Sequence, residues 1–221
     1  KKKDALDLSK QVHFTKLFNY AVRVLGVPPA VVYLKQDHTG GIRNANADPP
    51  ALVVGADMVR GRDERELAFT IGKAIALMRP EHYLGGAFPS TENLKLFFFA
   101  ALKVSVAGAS IPIESEDLDR LVKEIKRMPH VLAGLQKSTK QFIELGERPD
   151  FSNWRKAIEQ TSDRLGLLLC GDLVQAVQAI NGEQTSISKA SSKKRIRELV
   201  LFSVSRNYLA LRKELGLALG S

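Results

Sequence analysis

Downstream of Asp63 the apolar residues recur almost everywhere at the three- and four-residue spacing of an amphipathic helix. Upstream, only residues 30–35 and 51–59 have strand character, because both segments are rich in β-branched side chains. A helical pattern over residues 9–26 precedes them and ends before a Pro-Pro pair. This patterning predicts an α+β fold that is mostly α-helical, with a small β-sheet near the N-terminal third.

Helix starts are predicted at three polar residues that can cap a first turn, and helix ends or breaks at three residues that disfavour continuation. The caps are Asp63, Ser90 and Ser115, and the breakers are Pro80, Gly166 and Gly171. Residues 181–194 are polar and predict a loop, and Ser205 predicts a restart within the last helical segment. We treat residues 1–221 as a single domain, with a core over 1–110 and a helical C-terminal subdomain over 111–221.

The chain is basic, with 33 Lys and Arg against 24 Asp and Glu and a formal net charge of +9. This balance favours contacts with acidic partners. The densest basic cluster lies at a predicted helix start, where cations oppose the helix dipole, and consists of Lys193, Lys194, Arg195 and Arg197. These four residues are candidate binding residues for an acidic partner, although a charged run is also typical of a solvated face. The cluster lacks interleaved aromatic side chains, which argues against nucleic-acid binding.

The chain has one cysteine, Cys170, so an internal disulfide is excluded and a reducing, cytoplasmic setting is the simpler expectation. Its leucine-rich neighbourhood favours a buried thiol over a reactive nucleophile. No apolar run reaches the roughly 18 residues of a membrane span. The chain opens on Lys1 without an initiator methionine, which favours a segment of a longer protein.

Four histidines are scattered along the chain at positions that form no metal-binding pair of the H-x-x-x-H type: His13, His38, His82 and His130. No nucleophile elbow and no phosphate-binding loop is present. We therefore expect neither a bound metal nor another cofactor.

One lysine interrupts the apolar half of the helix that follows Asp63. The stem of Lys73 can pack while its ammonium reaches water at the helix flank. If Lys73 is buried instead, it needs a carboxylate partner, and Asp57 and Glu66 are the first candidates.

The segment NANADPPALVVGADMVRGRDERELAFTIGKAIAL contains an Asn-Ala element, a strand, an acidic cap and a helix with Glu-Leu in its first turn. This order resembles the core of gluzincin-type zinc metallopeptidases, whose zinc helix carries H-E-x-x-H. On that register the two zinc histidines fall on Lys73 and Leu77, and the general-base glutamate falls on Ala74. None of these side chains can do the work of the residue it replaces. The resemblance therefore implies a metallopeptidase-like core that lacks zinc ligands and is not an enzyme.

A second resemblance covers the C-terminal half. The segments DRLGLLLCGDLVQAVQAI and RELVLFSVSRNYLALRKELGLAL are similar to the C-terminal region of long tetratricopeptide-repeat proteins of myxobacteria and their relatives. Together the two resemblances imply a non-catalytic interaction domain of a larger bacterial scaffold protein. Its protein or peptide partner would lie in the inherited cleft beside Lys73, where an extended peptide can add to the sheet edge.

Two other hypotheses remain. The first is an active hydrolase whose ligands come from elsewhere in the chain, with His13, Glu81, His82 and His130 as the candidates. The second is a basic module that binds nucleic acid or an acidic partner through residues 193–197.

Overall fold

The computed structural model describes residues 11–28, 30–37, 41–45, 47, 49–146 and 148–217. Within these ranges the chain forms ten α-helices and one three-stranded sheet. The strands are β1 (Val31–Lys35), β2 (Ile42–Ala45) and β3 (Ala51–Gly55). The helices are α1 (Val12–Leu25), α2 (Glu64–Ala76), α3 (Pro80–Ala87), α4 (Thr91–Ser105), α5 (Glu116–Lys126), α6 (Pro129–Glu144), α7 (Phe151–Cys170), α8 (Leu173–Gly182), α9 (Ser192–Ser203) and α10 (Arg206–Glu214). The predicted fold class, mostly helical with a small sheet in the N-terminal third, is confirmed.

The chain divides into two compact units. The larger unit comprises the described residues up to Ala87 together with those from Arg155 onward, and the smaller unit is Phe88–Trp154. This division differs from the boundary predicted between residues 110 and 111. The reason is that α4 and α5 share one apolar cluster, which contains Ala100 and Leu118, so the chain stays within one unit as it passes residue 110.

In the sheet the strand order is β1-β3-β2, so β3 is central. It pairs in parallel with β1 and antiparallel with β2. The two predicted strands are present, but the second ends at Gly55 and is followed by a single 3-10 turn, Ala56–Met58. The intervening β2 was not predicted, because its sequence IRNA is short and half polar.

The core of the larger unit forms where α1 and α2 pack on the sheet. Phe14 and Phe18 of α1 stack with their ring centroids 6.0 Å apart. They join Leu52 of β3 and Ile71 of α2 in one buried cluster. The helical spacing of the α1 residues is what brings both rings to the same face.

The predicted helix caps form. The carboxylate of Asp63 accepts hydrogen bonds from the backbone N–H groups of Arg65 and Glu66, and Ser90, Ser115 and Ser205 cap α4, α5 and α10 in the same manner. Gly171, at φ +66°, follows the last residue of α7, as predicted.

Three boundaries differ from the prediction. Pro80 begins α3 and does not end the preceding helix, since α2 already ends at Ala76. The predicted break at Gly166 is wrong, because α7 continues through it. The loop predicted over residues 181–194 is shorter, because α8 extends to Gly182 and α9 begins at Ser192.

The smaller unit contains α4, α5 and α6. Besides its aliphatic cluster it has an aromatic group centred on Phe98, whose ring meets Phe99, Phe142 and Phe151 edge-on. Throughout the part of the chain that the structure describes, no helix has both the length and the apolar character that crossing a membrane requires.

Candidate functional site: a buried charge ring at Lys73

Lys73 of α2 is largely buried and ion-paired. Its side chain is 12% exposed, and its Nζ lies 2.8 Å from Asp163 Oδ1 and 2.5 Å from Glu183 Oε1. The ammonium is therefore held between two carboxylates, as expected for the alternative in which Lys73 leaves the surface. The two carboxylates first considered as its partners, Asp57 and Glu66, both bind Arg62 instead.

Lys73 meets Asp163 because α2 and α7 approach each other closely at two glycines. A Cβ at Gly72 would lie 3.0 Å from the Cα of Gly166, and a Cβ at Gly166 would lie 2.9 Å from the carbonyl oxygen of Phe69. Neither helix tolerates a side chain at this crossing. Lys73 follows one glycine, and Asp163 lies about one helical turn before the other. The glycine that was predicted to break α7 is thus a helix-crossing residue.

Arg195 of α9 closes the arrangement. Its Nη2 and Nε donate to the two oxygens of Asp163 at 2.7 and 2.9 Å, and its Nη1 donates to Glu183 at 2.7 Å. Lys73 and Arg195 therefore each contact both Asp163 and Glu183. We call these four residues the charge ring, since positive and negative groups alternate around it.

The charge ring is neutral and internally paired, which is the condition for burying ions at an acceptable energetic cost. The side chains of Asp163 and Arg195 are each only 3% exposed. Burial alone would lower the pKa of Arg195, but its hydrogen bonds and ion pairs with Asp163 and Glu183 hold that pKa above its ordinary value.

Glu159 lies one helical turn before Asp163 on α7 and extends the ring. Its carboxylate accepts hydrogen bonds from Ser186 Oγ at 2.8 Å, from the backbone N–H of Ile187 at 2.8 Å, and from both the N–H and the hydroxyl of Ser188. Its Oε1 lies 3.7 Å from Arg195 Nε. Glu159 therefore fixes the segment that leads into α9, and so helps to position Arg195.

Ala74 and Leu77, the other two positions on the metallopeptidase register, lie close by. Ala74 is buried in the core of the larger unit. Leu77 follows the last residue of α2, and its backbone carbonyl accepts a hydrogen bond from Asn44 Nδ2 of β2 at 3.3 Å. Strand β2 thus packs against α2 and bonds to the residue that follows it.

The predicted basic cluster is divided by α9. Lys193, Lys194 and Arg197 are exposed, whereas Arg195 is buried in the charge ring. Arg195 is therefore corrected from a candidate surface contact to a buried partner of Asp163 and Glu183. Its position one turn before the buried Leu199 explains its orientation.

The hydrolase hypothesis takes its ligands from Glu81 and three of the histidines. His82 Nδ1 lies 2.9 Å from the carbonyl oxygen of Ala76, and Glu81 pairs with Arg79 at 2.5 Å. A hydrogen bond from its own backbone N–H, followed by the bond from Arg79, lowers the pKa of Glu81. His13 and His130 are exposed, and His38 lies outside the described residues. In the described ranges, no group of three or more His, Cys, Asp or Glu residues is arranged to hold a metal ion.

Cys170 is buried, as its leucine-rich sequence predicts. Its Sγ lies 3.3 Å from the carbonyl oxygen of Asp172 and 3.6 Å from that of Leu167. Burial raises the pKa of the thiol from 9.0 to about 11, so at neutral pH it is not a thiolate nucleophile.

Sequence reasoning missed the carboxylates of the site. One signal was available on α7, where Glu159 and Asp163 are four residues apart on a face that also carries Gly166 and Leu167. Two acids one turn apart, next to the apolar run 165–169, indicate partners of opposite charge, although Arg155 and Ser162 share their face. The sequence contains no comparable signal for Glu183, which lies in a polar segment.

Comparison of the chain with protein-family models, with curated proteins and with solved structures finds no match. A function for this chain is therefore inferred from its own residues and from the sequence resemblances described above.

Proposed function

We propose that this chain is a non-catalytic interaction domain with a metallopeptidase-like core, in which the ammonium of Lys73 stands in for a catalytic metal ion. One observation carries the proposal. Lys73 lies at the position where the resemblance puts the first zinc histidine, and its Nζ donates to Asp163 and Glu183 at 2.8 and 2.5 Å. A cation held between a carboxylate of α7 and one that directly follows α8 is thus supplied by the chain itself.

Charge considerations support a site that needs no metal. Two carboxylates face two cations in the charge ring, so a divalent ion entering between them would add two positive charges against one further carboxylate, that of the neighbouring Glu159. The ion would also meet the ammonium of Lys73 and the guanidinium of Arg195, whereas metal ligands must bind in their deprotonated form. Ala74 supplies no general base, and Leu77 has no lone pair to coordinate a metal.

The edge of the sheet supports peptide binding. The backbone N–H of Gly55 donates to the carbonyl of Gly41, so these two residues form a hydrogen-bonded pair of the antiparallel ladder. Such pairs alternate along a ladder. Arg43 therefore bonds to β3, while the backbone groups of Ile42 and Asn44 point towards the other edge of β2, which no described strand pairs with. An extended peptide that adds to this edge would extend the sheet on the strand that packs against α2.

The wider setting in this proposal comes from the second resemblance. The chain would serve as one domain of a larger, repeat-containing bacterial scaffold protein in the cytoplasm, where the repeats and this domain contribute separate binding surfaces.

The experiment is a selection of random extended peptides, displayed on phage, against the purified chain. Amide hydrogen exchange of the chain with an enriched synthetic peptide then reports on the edge of β2. We expect slower exchange at Ile42 and Asn44, because their N–H groups become hydrogen-bonded, and unchanged exchange at Arg43, which is already bonded to β3. Failure to enrich any peptide, or enriched peptides that leave the exchange at Ile42 and Asn44 unchanged, would contradict peptide binding at this edge.

A further inference from the structure

The outward face of α9 combines basic and apolar side chains that no described residue covers. The helix turns Arg195 and Leu199 inward, where they are 4% and 1% exposed. Its opposite face, followed from the first turn to the residue after the helix, presents Lys193, Arg197, Val200, Leu201 and Val204. We call these five residues the α9 stripe.

The apolar half of the α9 stripe is unusually open. Val200, Leu201 and Val204 are 40%, 57% and 74% exposed. Five of the thirteen exposed large apolar residues in the described ranges lie between Val200 and Leu211, so they are concentrated on the α9–α10 segment. Single exposed apolar residues are ordinary, but a concentration of them indicates a contact surface.

The basic half of the stripe also lacks ionic partners among the residues that the structure describes. Neither Lys193 nor Arg197 forms an ion pair with a described residue. Lys193 lies in the first turn of α9, where cations are disfavoured by the helix dipole. An acidic group outside the described residues would relieve this unfavourable placement.

We propose that the α9 stripe docks an acidic amphipathic helix of a protein partner. The partner presents carboxylates opposite Lys193 and Arg197, and apolar side chains opposite Val200, Leu201 and Val204. The stripe extends over about 16 Å, which is roughly three helical turns of the partner. This proposal rests on the proposed function only in treating the chain as an interaction domain, and it involves neither the charge ring nor the edge of β2.

The order of residues along the stripe favours a protein helix over a membrane or a nucleic acid. A helix that lies in a membrane surface has an apolar stripe along its whole length with cations on its flanks. Here the cations precede the apolar residues along the same stripe. The exposed apolar side chains of α9 are Val and Leu, which provide no aromatic surface for stacking bases.

The test uses three fluorescent synthetic peptides of about 14 residues that differ in one property each. The first has leucines at three- and four-residue spacing in one half and glutamates on the same face of the other half. The second has lysines in place of the glutamates, and the third has the composition of the first in scrambled order. Fluorescence anisotropy measures their binding to the whole chain at about 50 and about 150 mM salt.

Two variants and one matched control locate the binding. K193E/R197E reverses the basic half of the α9 stripe, and L201D/V204D removes its apolar half. The control, K123E/K126E, makes the same change in net charge on exposed positions of α5 in the smaller unit.

We expect the first peptide alone to bind with a Kd of tens of micromolar, and each α9 variant to weaken binding by about tenfold or more. The control should change the Kd by less than about twofold at the higher salt concentration. Equal binding of the scrambled peptide, equal loss in the control, or no binding of the first peptide at about 1 mM would overturn the proposal. Binding of the chain to vesicles of phosphatidylcholine and phosphatidylserine would also overturn the proposal, if the first peptide does not bind and both α9 variants abolish the vesicle binding.

Failure here is distinguishable from failure of the proposed function. The proposed function is tested by hydrogen exchange at the edge of β2 and by the metal content of the chain. Neither measurement depends on Lys193 or Val204. Circular dichroism of each variant confirms that a loss of binding does not arise from unfolding.

Discussion

Replacing Lys73 with methionine should destabilise the larger unit, because it leaves a buried carboxylate with one cation in place of two. Methionine retains the length of the stem and removes only the ammonium. Asp163, at 3% exposure, loses a partner 2.8 Å away, while Glu183, at 28% exposure, can recover hydrogen bonds from water. The cost therefore arises mainly at Asp163.

The magnitude follows from what remains in the ring. Breaking a buried ion pair outright costs about 3–5 kcal/mol. Asp163 keeps two hydrogen bonds from Arg195, at 2.7 and 2.9 Å, so we expect about 2 kcal/mol for K73M. R195M removes a cation from Asp163 and Glu183 and from the neighbourhood of Glu159, so it should cost about 4 kcal/mol.

Urea unfolding followed by circular dichroism measures these free energies. The control is K16M, the same chemical change at an exposed lysine of α1 in the larger unit, which should stay within about 0.5 kcal/mol of the wild type. The predicted order of destabilisation is R195M, then K73M, then K16M. If K73M is no less stable than K16M, the charge ring contributes nothing and the reasoning is wrong.

Two further predictions concern the helix crossing and the thiol. G166A should destabilise the chain by about 2 kcal/mol or more, since its Cβ would lie 2.8 Å from the ring of Phe69. The control is G134A on α6, where nothing lies within 4 Å of the new Cβ, and it should be neutral or stabilising by up to about 1 kcal/mol. Thermal unfolding of both variants checks this, and equal shifts of the same sign would refute the close crossing. The unfolding free energy of the wild type relative to C170A should be constant below about pH 9 and fall as the pH rises towards about 11, because the folded thiol holds its proton more tightly than the unfolded one. A difference that rises over this interval would contradict the burial of Cys170.

Features that depend on neighbouring residues were predictable from the sequence. The Asp63 and Ser115 caps form because a polar side chain meets N–H groups two or three residues away, and the first-turn pattern carries that information. The strands β1 and β3 were predictable for the same reason, since their β-branched residues are consecutive.

Features that depend on distant contacts were not predictable. Gly166 has a helix-breaking propensity, but the close approach of α2 outweighs it, and that approach is invisible in the local sequence. The partners of Lys73 lie on α7 and just after α8, so the residues around Lys73 give no indication of them. Arg195 belongs to a run of basic residues, and only the phase of α9 against α7 separates it from its exposed neighbours.

The most direct test of the central claim is the zinc content of the purified chain after incubation with excess zinc and exhaustive dialysis. Elemental analysis should find well below about 0.1 zinc per chain, because the ammonium of Lys73 already compensates the carboxylates of Asp163 and Glu183. Zinc retained at about one ion per chain would contradict the account, since it would require Lys73 to leave the charge ring or the ligands to come from elsewhere.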